Sequence, residues 1–109
     1  MKRKELSSIE REALLVQLLA KLLRDEVSSG QVLRQLRREV LGISQTQYAE
    51  LVGISRRSLS DLEADKASPT LALLNQVFRP LGLRTGLVPR NRGLRERLLP
   101  TEQLLSESF

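Results

Sequence analysis

Between Ser7 and Glu26 apolar residues recur so densely that they cover most of a helix circumference. Leu14, Leu15, Val16, Leu18, Leu19, Leu22 and Leu23 leave only the polar stripe Glu10, Gln17, Lys21 and Arg24. The pattern predicts a first helix over residues 7–26, capped by Ser7 or Ser8, with Glu10 in its first turn. Its apolar face either lies across a core or meets a second copy or a partner. Ser28-Ser29-Gly30 interrupts, and a second helix follows over 31–41, with Val32, Leu33, Leu36 and Val40 inward and Gly42 ending it. Ser44 caps a short helix over 45–51, Gly53 makes the next turn, and Ser55 caps a helix reaching about Glu63 or Ala64. After the loop 65–69, Ser68 and Pro69 start a last helix to Phe78, apolar at Leu71, Leu74, Val77 and Phe78, which Pro80 and Gly82 stop. Leu83, Thr85 and Leu87 then alternate with Arg84, Gly86 and Val88, a strand signal over 83–88. A lone strand cannot satisfy its own backbone groups, so it needs its twin across a dimer axis or a partner protein. Residues 90–109 read as a basic, then acidic flexible tail, with or without a short helix over 92–99.

Composition narrows the chemistry. The 109 residues suggest one domain, marginal by itself at this size. With no cysteine and no histidine, thiolate chemistry, most metal sites and the usual neutral general base are missing. The expectation is therefore no enzyme, no metal and no cofactor. The formal charge of +5 is concentrated late, where Arg79, Arg84, Arg90, Arg92, Arg95 and Arg97 face three glutamates over residues 67–109. A basic chain suits polyanions. The apolar run Ala13–Leu23 is too short and too polar to span a bilayer, and the acidic residues after Met1-Lys-Arg-Lys argue against a secretory leader. The expected place is the cytoplasm.

The informative constellation is two short helices joined at Val52-Gly53-Ile54. A close crossing needs a small side chain, supplied by Ala49, and a residue tolerant of positive φ, supplied by Gly53. Ile54 and Leu59 fill the angle, with Leu62 behind, which leaves the other face of the second helix free for a major groove. That face carries Arg56, Arg57, Ser60 and Asp61. Arginine pairs bidentately with guanine, Ser58 or Ser60 can reach a base edge or a phosphate, and Ser44 and Gln45 can clamp a phosphate at a helix start. The bland alternative for Arg56 and Arg57 is a solvated surface pair.

The series Gly30, Leu33-Arg34, Arg37-Arg38, Gly42-Ile43-Ser44-Gln45, Tyr48-Ala49, Gly53-Ile54-Ser55-Arg56, Leu59-Ser60, Leu62-Glu63 and Pro69 closely resembles the phage-repressor (XRE) helix-turn-helix family. The resemblance covers residues 30–82. It implies an all-α, five-helix, lambda-repressor-like domain, here with an extra N-terminal helix over 1–29 and a short C-terminal strand over 83–89. Residues 45–52 would position and 55–64 would read DNA. By the same resemblance Gln45 contacts phosphate, Arg56, Arg57 and Asp61 read bases, Lys66 approaches phosphate, and Arg38 pairs with Glu63 as a structural salt bridge. Asp65 stands where the family commonly has glycine, and Asp61 where it often has a neutral or basic reader. An aspartate accepts from cytosine but repels phosphate.

The stretch Leu81–Val88 further resembles the HipB-type antitoxin branch, in which a strand after the helical core pairs across a homodimer through positions such as Leu83, Thr85 and Leu87. That branch implies an autoregulated toxin–antitoxin operon, a palindromic duplex operator and a kinase-like toxin partner. The alternatives are a stand-alone or phage-derived regulator, and a protein-interaction scaffold with little DNA binding.

Overall fold

Serine and threonine caps set where most helices of the computed structural model begin, and the structure describes residues 5–98. The basic start and the acidic, serine-containing end lie outside them. Six α-helices occur in the order α1 (Ser8–Leu23), α2 (Ser29–Leu36), α3 (Gln45–Val52), α4 (Arg56–Glu63), α5 (Leu71–Phe78) and α6 (Arg92–Leu98). Ser7, Ser28, Ser44, Ser55 and Thr70 each accept an amide N–H of the first turn of α1 to α5. In the first three, a Glu or Gln three residues on returns the bond to the cap backbone.

These caps move two expected boundaries. Ser28 caps α2, so Gly30 lies inside its first turn instead of interrupting. A Cβ at Gly30 would stand 2.5 Å from the Leu62 carbonyl and 2.7 Å from that of Glu63, so only glycine lets α2 start this close to the end of α4. Likewise Thr70, not Ser68, caps α5, and Pro69 precedes the helix.

The core is the meeting of α2, α3, α4 and α5. Val32, Leu33, Leu36, Tyr48, Leu59 and Val77 are fully buried there, each such aliphatic contributing about 1.5–3 kcal/mol. Leu18 of α1 joins this core, with Leu14, Leu15 and Leu22 packed against it, whereas Ile9 and Val16 stay exposed. The apolar face of α1 is thus divided between core and solvent. Tyr48 adds a polar tie: its phenol donates to the Val77 carbonyl at 2.5 Å. Burial, helped by the nearby Glu63 charge, pushes that phenol up to about 12, so it remains a donor.

The expected five helices and strand are overturned: the described residues form six α-helices and no strand. A ladder needs a second strand, and none of the described residues supplies one. Residues 83–89 instead run on from the left-handed Gly82, and Thr85 donates both its N–H and its hydroxyl to Asn75 Oδ1, at 2.8 and 2.9 Å. The alternation fails as well, because Leu83 and Thr85 are half-buried while Leu87 is fully exposed. Residues 92–98 of the expected tail form α6, which packs on α1.

Candidate nucleic-acid interface

The turn at Gly53 has the expected geometry. Gly53 adopts φ +79°, its N–H and that of Ile54 both donate to the Ala49 carbonyl, and α3 packs on α4 with Ala49 and Leu59 both buried. On α4, Leu59, Leu62 and Glu63 face inward. Arg56 and Arg57 are exposed, neither ion-pairing with any described residue, and Ser60 and Asp61 follow one turn later as half-buried neighbours. The rows Arg56–Ser60 and Arg57–Asp61 form the outward face.

The serines serve mainly the backbone. Ser44 Oγ accepts the Gln47 N–H, and Ser55 Oγ accepts the Ser58 N–H while donating to Ser58 Oγ at 2.9 Å. Lys66 is exposed in the loop after α4, where its N–H closes the helix onto the Asp61 carbonyl.

Glu63 organises the inner side. Arg37 grips it bidentately, Nε to Oε2 at 2.6 Å and Nη2 to Oε1 at 2.9 Å, and Gln45 Nε2 donates to Oε1 at 3.0 Å. Arg37 Nη1 reaches the Ile43 carbonyl at 2.8 Å. The expected pairing of Arg38 with Glu63 is corrected: Arg37 makes it, and Arg38 is exposed. The reason is a wide turn over Arg37–Leu41, in which the N–H of left-handed Gly42 donates to the Arg37 carbonyl five residues back. That turn takes up one extra residue between the arginine and the glycine. The periodicity carries the signal, since Arg37 stands four residues after buried Leu33, on the stripe that faces inward.

Asp65 is the residue whose role sequence reasoning missed. It adopts φ +57° where glycine was the expectation, and Asp65 and Lys66 close α4 onto the Leu62 and Asp61 carbonyls. Its carboxylate then accepts from Ser28 Oγ at 2.5 Å and from the Gly30 N–H at 3.0 Å, which places a negative charge at the start of α2. A glycine would supply the turn and lose both bonds. Of the strand residues expected to meet a partner, Leu83 packs on the core, Thr85 is held by Asn75 and Leu87 stands in solvent.

The sequence profile of the helix-turn-helix family matches residues 33–87, half of the chain. The chain belongs to the helix-turn-helix family. An uncharacterized HTH-type transcriptional regulator from Methanothermobacter thermautotrophicus is 39% identical over 51 residues, spanning 47% of this chain and 72% of that relative. No solved structure matches. For this helix-turn-helix protein the described residues hold no group of His, Cys, Asp or Glu that could bind a metal ion. No described helix is long and apolar enough to cross a membrane.

Proposed function

We propose that this protein is a sequence-specific DNA-binding transcriptional regulator that inserts α4 into the major groove. The observation that carries the reading is the outward face of α4. Its inner side is fixed by Leu59, Leu62 and the Arg37–Glu63 pair, while Arg56 and Arg57 in its first turn face solvent without a carboxylate partner among the described residues. Bidentate arginine–guanine contacts need that freedom. Gln45, turned by Glu63 at the start of α3, and Ser44 beside it suit a backbone phosphate. Ser58, Ser60, Asp61 and Lys66 complete the surface. Asp61, one turn deeper, favours cytosine at its position.

The mode of action is promoter occlusion by a two-fold dimer, with two copies of α4 about 34 Å apart on a palindromic operator. Exposed Leu87, Val88, Leu94 and Leu98 supply apolar surface for such pairing. The antitoxin reading rested on a strand over 83–88, and that segment carries no ladder among the described residues, so the plain regulator is the reading we carry.

Selection of duplexes from a random pool by the full chain, followed by gel-shift assays, tests it. Wild type is expected to enrich a two-fold motif. Replacing Arg56 or Arg57 by Ala is expected to cost about 1–3 kcal/mol on that motif. Unchanged binding by the double variant would remove α4 as the reader.

A further inference from the structure

With Arg37 on the inward stripe of buried Leu33, Arg34 and Arg38, each one residue past that stripe, lie on the outer side of the second helix. Both are exposed, and neither forms an ion pair with any described residue. They stand four residues apart, about 6 Å along a helical axis. Together with Gln45 and Ser60 they line an open depression of about 400 Å³ beside α4. The acid lining that depression, Glu63, has both oxygens engaged by Arg37 and Gln45. On the far side of Arg34 and Arg38, Gln31 and Gln35 continue the surface, and Glu39 is the carboxylate at its margin.

We propose that Arg34 and Arg38 are DNA-backbone contacts, which makes α2 a third element of the interface, clamping the strand that runs past Gln45 and Ser60. The proposal rests on α4 lying in the major groove. With α4 there, Ser60 and Gln45 mark the groove rim, where the phosphates run, and the two guanidinium groups stand beside them. A guanidinium is suited to this role, since it keeps its charge and can give a phosphate two parallel N–H bonds. Glu39 limits the positive surface at one margin, so the clamp is confined to the side nearer α4. The arginines read no base; they add affinity on every sequence and fix the register of α4.

The test is the salt dependence of binding, measured for wild type, Arg34→Gln, Arg38→Gln and the double variant on the selected duplex and on a scrambled one. Each loss of a phosphate contact is expected to lower the slope of log affinity against log salt by about 0.9. The ratio of selected to scrambled affinity should stay unchanged. Lysine at both positions should retain the slope, which separates charge from fold; melting curves should coincide because both side chains are solvent-exposed. Wild-type binding with slopes unmoved in the double glutamine variant would overturn the clamp and leave the regulator reading intact. A fallen selectivity ratio at constant slope would also overturn it. Wild type that binds no duplex at all would sink the regulator reading, and the clamp with it.

Discussion

Two helices of this protein end in the same way, on an aspartate in the left-handed conformation, yet the two ends do different work. Asp25 closes α1 at φ +60° and Asp65 closes α4 at φ +57°. In both, the following N–H reaches back to the last turn: Glu26 to the Lys21 carbonyl and Lys66 to that of Asp61, each at 2.9 Å. The carboxylates then diverge. Asp65 turns across the helix-turn-helix unit and binds Ser28 and Gly30 at the start of α2. Asp25 turns outward and holds Arg95 of α6, Nη1 to Oδ1 at 3.0 Å and Nη2 to Oδ2 at 2.6 Å. Arg95 is buried, with Nε unpartnered among the described residues, whereas the Asp25 side chain remains 64% exposed. The lesson is that left-handed tolerance explains only half of an aspartate at a helix end. The other half is what its carboxylate fastens, in one case the domain itself and in the other an accessory helix.

The largest break in this contrast comes from Glu63→Ala, which strands Arg37 inside the domain. A loss of about 3–5 kcal/mol in global stability is expected by chemical denaturation. Asp65→Ala should follow at about 2 kcal/mol, from the lost charged hydrogen bonds and an alanine held at positive φ. Asp65→Gly sharpens the point, because it restores the backbone freedom and should recover only part of that loss. Asp25→Ala should leave the global transition in place and raise amide exchange along α6, read by hydrogen–deuterium exchange. A fall in global stability as large as that of Asp65→Ala would erase the distinction.

Acid offers a smaller and reversible probe. The Arg95 hydrogen bonds and charge, against a weaker opposing burial effect, hold the Asp25 carboxyl below its usual range. A depressed folded pKa means the docking contribution is complete above the ordinary carboxylate range and is lost as pH falls through the lowered value. Protection of α6 should therefore fade on acidification through that window, and in Asp25→Asn the same step should be absent.

How far the chain could be read from its residues follows from the range of the forces involved. Local rules placed Ser44, Ser55, Gly42, Gly53 and Gly82, since each cap or left-handed turn is decided within a few residues. The outward position of Arg56 and Arg57 followed from the turn at Gly53. Partners distant in sequence were less legible. Asp65 looked like an imperfect glycine because Ser28 and Gly30 lie 37 and 35 residues away. Arg38 took the place of Arg37 because the pairing was carried over from the family resemblance, and the wide turn before Gly42 puts one extra residue between that glycine and the arginine that pairs. The strand over 83–88 was expected from alternation and resemblance, which do not show that Asn75 holds Thr85. Arg95 read as part of a solvated basic tail, and only its approach to Asp25, 70 residues earlier, buries it.

The central claim is that α4 reads bases from the major groove while α1 and α6 stand apart. Guanine N7 lies on the major-groove edge, where it would accept an N–H from arginine. Methylation interference on the selected duplex is therefore the most direct measurement. The account predicts that N7 methylation at particular guanines blocks wild-type binding, and that Arg56→Ala or Arg57→Ala loses sensitivity at one guanine per half-site. Binding indifferent to N7 methylation at every position would contradict it.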